Sequence, residues 1–145
     1  MTVDFYHLTS SPLDRVLPQI CEKVLAGEGR LLVVAGADML GQLDDLLWSY
    51  ARDAFIPHGR SDAASAASQP VLLSTSTEAI NGAGNVALAD GQWREEALGF
   101  SRTFYFFDSE QLEGARASWR SLKARSDIEL RYWKQDDVGK WVQGP

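Results

Sequence analysis

Cysteine is nearly missing from this chain. Cys21 is the single one in 145 residues, which excludes an internal disulfide. It falls in an apolar helical pattern and reads as a buried, inert thiol. Histidine is almost as scarce, with only His7 and His58, and neither HxxxH nor CxxC spacing occurs. A metal centre would have to be built mainly from carboxylates. No run approaches the ~18 consecutive apolar residues of a membrane span. The opening MTVDFYHL lacks the basic flank of a secretory signal. A cytoplasmic location with no membrane association is expected. The glycine-rich phosphate motifs are absent too. AGADMLGQ at 35–42 contains neither GxGxxG nor GKS/GKT, and NGAG at 81–84 has no helix pattern after it. There is no GxSxG elbow for a nucleophilic serine. His7, on an apolar strand, reads as a structural histidine rather than a base. Little is left for catalysis or for a cofactor, and the search turns to binding surfaces.

What is present begins with an ordinary globular composition, 45% hydrophobic and 23% charged, in a chain of single-domain length. The net charge of −6 argues against bulk adhesion to nucleic acid. The charge is uneven. Residues 1–98 hold 6 basic and 13 acidic side chains, whereas 99–145 hold 8 basic and 7 acidic. Arg116, Arg120, Lys123, Arg125, Arg131 and Lys134 are concentrated near the end of the chain, which points to a local site for an anionic ligand.

Apolar runs and periodicity predict strands at VDFYHL, RLLVVAG, VLLST, NVALAD, SRTFYFFD and IELRYW. Leu13, Val16, Leu17, Ile20, Cys21, Val24 and Leu25 recur at helical spacing after a Ser10-Ser11-Pro12 start. Pro18 is expected to kink or weaken that helix, and Gly27 and Gly29 to end it. Asp38 is expected to cap a second helix carrying Met39, Leu43, Leu46, Leu47 and Tyr50. Strands alternating with helices predict one three-layer α/β/α domain over 1–145 with a mostly parallel central sheet. Small and polar residues make 59–70, GRSDAASAASQP, a flexible surface loop.

The last helix is expected from Asp108 to about Arg125, with Asp108 and Gln111 forming a capping box. At roughly 100° per residue Arg116, Arg120 and Lys123 share one face, beside an apolar stripe of Leu112, Ala115, Trp119 and Leu122. Two readings stand. The basic row is a solvated face with Trp119 at the core rim, or it edges an aromatic pocket, walled by Phe107, for a peptide carrying both an apolar side chain and carboxylates. Nucleic acid is a competing ligand, with Trp119, Tyr132 and Trp133 available to stack bases.

The order VDFYHL, RLLVVAGADMLGQLDDLLWSYARDAFIPHG, QPVLL, NVALAD, ARASWRSLKARSDIELRYW resembles the chi subunit of bacterial DNA polymerase III over nearly the whole chain. The most specific part is Leu43, Asp44, Leu46, Leu47 and Trp48, followed by Phe55, Pro57 and His58. The resemblance implies a non-catalytic accessory subunit of the replicase, associated with the clamp loader. It implies two protein partners. One is the acidic C-terminal tail of single-stranded DNA-binding protein, which ends in phenylalanine, so that association with single-stranded DNA is indirect. The other is a psi-like clamp-loader subunit, with a helicase as the substitute where no psi exists. Family positions for the tail fall on Arg116 and Trp119. Leu112 stands where the family carries a basic residue, and Arg120 and Lys123 are candidates to supply that charge. Phe55 belongs to the implied psi-contacting surface. Ile56, Pro57 and His58 continue it as an apolar docking edge, and Trp48 is open between core and interface. A nucleotide-dependent enzyme and a direct single-strand binder are the alternatives.

Overall fold

The computed structural model describes residues 1–9, 12–50 and 56–144. The chain forms strand β1 (Thr2–His7), helix α1 (Leu13–Ala26), β2 (Leu31–Val34), α2 (Ala37–Ser49), β3 (His58–Arg60), β4 (Val71–Ser74), β5 (Asn85–Leu88), β6 (Arg102–Phe107), α3 (Leu112–Lys123), β7 (Glu129–Gln135) and β8 (Trp141–Gln143). The strands make one sheet in the order β3-β4-β2-β5-β6-β1-β7-β8. All neighbours are parallel except β7 and β8.

Side chains alternate across this sheet, and each set is buried under a different layer. Leu31, Val33, Leu73, Ala87, Phe104 and Tyr6 point to α1 and α2, meeting Leu17, Ile20, Leu40, Leu43 and Leu47. Leu32, Val34, Leu72, Val86, Phe5, Tyr105 and Phe107 point the other way, under Ala115 and Leu122 of α3. Burial on both faces is why β2 and β4 read as continuous apolar runs. The expected α/β/α layering with a mostly parallel sheet is observed.

Several local expectations are corrected. α1 continues through Pro18, whose ring is buried with Leu17 and Val16. The amide it lacks would have met the carbonyl of Asp14, on an exposed turn of the helix. α1 does end on Gly27, its C-cap, and the left-handed residue that follows is Glu28 (φ 62°), between the two glycines. Asp38 does not cap α2. It lies in the first turn, and the Gly36 amide donates instead to Asp90 Oδ2 at 3.0 Å. The segment 59–70 is not all loop. His58–Arg60 pairs with Val71–Leu73 as an edge strand, and a 3-10 turn at Ala66–Ser68 buries Ala66 in the core. A strand this short, centred on Gly59, shows no periodicity to read. Strand β8 was also unforeseen, so IELRYW is not the last strand. The Ser10-Ser11 start of α1 lies outside the described residues.

Candidate functional site

α3 begins where its sequence says it should. Glu110 N–H donates to Asp108 Oδ1 and Asp108 N–H donates to Gln111 Oε1, both at 2.9 Å, closing the capping box. Gly91 (φ 78°) makes room for this: a Cβ there would collide with the Gln111 side chain. A 3-10 turn over Ser109–Gln111 leads into the helix. Its apolar stripe then lies across β1, β6 and β7, and the stripe leaves a gap at the edge.

That gap is a cavity of about 480 Å³ lined by residues of four elements. Phe5 and His7 come from β1, Phe107 from β6, Leu112, Ala115, Arg116 and Trp119 from α3, and Tyr132 and Lys134 from β7. Trp119 stands edge-on to both Phe5 (5.3 Å between ring centroids) and Tyr132 (5.7 Å). Phe107 is fully buried and forms the wall. Arg116 and Lys134 are exposed and stand on different elements, helix and sheet. The result is an aromatic hollow bordered by two cations, suited to a ligand with an apolar end and negative charge.

His7 completes the wall. Its ring stacks on Phe107 at 4.9 Å, and its Nδ1 is 2.8 Å from Tyr132 Oη. Its Nε2 is buried with no hydrogen-bond partner. Burial, and then the positive charge of Arg116, hold the imidazole pKa below its ordinary value, against a smaller opposing pull from Asp108. Burial raises the Tyr132 phenol, which stays protonated.

Strand β7 is held in place from beneath. On the opposite face Asp4, wholly buried, accepts from Arg131 Nε (2.6 Å), Arg102 Nε (2.9 Å) and Trp133 Nε1 (2.9 Å). Burial alone would raise the Asp4 pKa. The bonds from Arg131, Trp133 and Arg102 outweigh it and hold the carboxyl below its ordinary value. These bonds tie β7 to β1 and β6, so Tyr132 and Lys134 keep a fixed place opposite α3.

Of the residues named for this pocket from the sequence, Arg116, Trp119 and Phe107 come together. Arg120 and Lys123 are exposed on α3 and do not line the cavity. Leu112 and Lys134 both line the cavity, so its second cation comes from β7. Lys134, Tyr132 and His7 were read from the sequence as part of the basic segment, a candidate base-stacker and a structural histidine, and not as one site, because they meet α3 only through parallel pairing of β1 and β7. Alternation along β7, with Leu130, Tyr132 and Lys134 on one face, was the available signal.

The second predicted surface divides. Trp48 is 60% exposed, which resolves it as a surface residue. Pro57 is partly exposed. Ile56, at 1% exposure, packs in the core with Leu43 and Leu47, and His58 is buried as well. His58 Nδ1 donates to the Ile56 carbonyl at 2.7 Å, and Nε2 lies 2.9 Å from Asp44 Oδ1. The Trp48 indole rests against the His58 ring at 4.9 Å. Ile56 and His58 therefore support this surface from inside and are not its contact edge. Phe55 lies outside the described residues.

A larger cavity, about 590 Å³, opens at the C-terminal ends of β1, β5 and β6, where an α/β nucleotide site would sit. Its described lining carries the carboxylates of Asp90 and Asp108 and no basic side chain, a poor setting for phosphate. Among the described residues no group of three metal-ligating side chains is close enough to hold an ion, and no helix is long and apolar enough to cross a membrane.

The family model for the DNA polymerase III chi subunit, HolC, matches residues 1–129. The chain belongs to the DNA polymerase III chi subunit family. No curated protein matches it significantly. Membership of this family makes it an accessory subunit of the replicase. The match runs from β1 through α3 and ends on the first residue of β7, so Arg116 and Trp119 lie within it while Tyr132 and Lys134 lie beyond it.

Proposed function

We propose that this chi-family chain links the polymerase to single-stranded DNA-binding protein by holding that protein's acidic, phenylalanine-ended C-terminal tail between α3 and β7. The observation that carries this reading is the aromatic cavity with Arg116 on one wall and Lys134 on the other. The terminal phenylalanine ring packs against Trp119 and Phe107, and the cations pair with the tail carboxylates. A disordered tail pays for its ordering on binding, so affinity is modest, on the order of micromolar, and falls with salt. Several tails on one coated strand supply the missing strength through avidity.

A second contact is proposed around Trp48 and Pro57, docking a psi-like clamp-loader subunit or a helicase. Its support is the exposed indole held in one orientation by buried His58.

The decisive measurement is anisotropy with a labelled tail peptide. Arg116→Ala is expected to weaken binding about tenfold, the scale of one charge-assisted hydrogen bond. Unchanged affinity would remove the α3–β7 cavity from the reading. Equally tight binding of naked and protein-coated single-stranded DNA at physiological salt would favour direct strand binding instead.

A further inference from the structure

We infer that His7, in the wall of the α3–β7 cavity, makes capture of an acidic peptide proton-linked through the charge of its ring. The inference rests on the tail-binding reading of that cavity and adds its regulation by pH.

The geometry places the titratable ring. His7 lines the cavity as the last residue of β1, with its ring fixed on two sides, by stacking on Phe107 and by the 2.8 Å contact of Nδ1 with Tyr132 Oη. The Tyr132 phenol keeps its proton, and when it donates to Nδ1 the neutral imidazole carries its own proton on Nε2. That nitrogen is buried, so a ligand acts on the ring through its charge and not through a bond to Nε2. A ligand carboxylate drawn in by Arg116 and Lys134 comes to lie beside the ring from within the cavity that the ring lines.

The electrostatics supply the linkage. The charged groups facing His7 are Arg116 from α3, Lys134 from β7 and Asp108 after β6, with Tyr132 as its hydrogen-bond partner. In the free chain burial and Arg116 disfavour the imidazolium. A carboxylate placed beside the ring reverses the sign of its nearest charge and raises its pKa. Binding then takes up a proton. Affinity therefore rises as pH falls through the bound-state pKa and levels off below the free-state one. Between about pH 5.5 and pH 8 the peptide's aspartates stay ionised and the cations stay charged, so His7 is the group of this cavity that changes. The chain's other histidine, His58, is at the far edge of the sheet, on β3.

The test measures binding of a synthetic peptide, an aspartate run ending in phenylalanine with a free carboxylate, at about pH 6 and about pH 8. Wild type is expected to bind about three- to sixfold more tightly at the lower pH, part of the roughly tenfold that a one-unit pKa rise gives in full. His7→Gln should bind with no such difference, and Arg116→Ala weakly at both pH values. A pH-independent wild type, or a His7→Gln variant that keeps the difference, overturns the role of His7; in either case weak binding by Arg116→Ala leaves the pocket reading standing. Full affinity in Arg116→Ala removes both. NMR titration of the His7 ring proton in the wild-type chain is independent of whether the variant folds. Its pKa should rise on saturation with peptide, and an unmoved pKa also overturns the inference.

Discussion

The two surfaces proposed for partners are built in opposite ways. The α3–β7 cavity is concave, drawn from four elements far apart in sequence, and its charges face each other across an aromatic floor. The Trp48 surface comes from one short stretch of chain, and its neighbours alternate sharply between inside and outside. Trp48 projects, Ile56 is core, and His58 is a buried strut between Asp44 and the Ile56 carbonyl. The contrast shows that nearness in sequence describes neither surface. A pocket of the first kind selects by where charges sit, whereas a surface of the second kind offers one large apolar side chain in a fixed pose.

The largest expected effect separates the two by their foundations. Asp4→Ala strands two guanidiniums and the Trp133 indole N–H, and should cost about 3–5 kcal/mol in urea unfolding, nearer the lower figure because both arginines reach solvent. It should also weaken tail-peptide binding by loosening β7, while a partner bound through Trp48 is retained. The same carboxyl gives a pH signature. Asp4 and Asp90 both have pKa values held below the ordinary 3.8 in the folded state. Their contribution to stability is therefore complete above that value and is lost as pH falls through the lower folded values. An acid titration followed by circular dichroism should show a plateau that breaks only below about pH 4.

Next in size is Ile56→Ala, expected to cost about 2–4 kcal/mol by opening a core cavity, against less than about 1 kcal/mol for Trp48→Ala. Pull-down of a psi-like partner should show the reverse order, with Trp48→Ala the defective variant. Equal destabilisation by the two would return Trp48 to the core and end the comparison. In the cavity Lys134→Ala should lower tail-peptide affinity about three- to fivefold, while Arg120→Ala changes it less than about twofold. The smallest effect is a gain. Leu112→Lys places a third cation at the rim and should tighten binding about two- to threefold at low salt.

Much of the architecture was legible because burial writes itself into composition. LLVV is apolar throughout, and VLLS in all but its last residue, since both faces of β2 and β4 are covered, and α1 and α3 show their stripes because each has one wet side. The three-residue strands β3 and β8 were not legible, since two or three residues cannot display a period and their pairing is decided by distant partners. The site divided along the same line. Arg116 and Trp119 stand one turn apart on a helix, a spacing that can be read. Lys134 reaches the cavity only because β7 lies beside β1. Ile56 was read as exposed because large apolar residues after a helix end look unpartnered until the fold brings Leu43 and Leu47 against them.

The family match covers one wall of the cavity and stops at the other. Helix α3, with Arg116 and Trp119, lies inside the matched residues, and the strand opposite, from Leu130 onward, lies outside them. If the cavity holds the proposed tail, Tyr132 and Lys134 are places where its preference can be retuned without touching the matched residues.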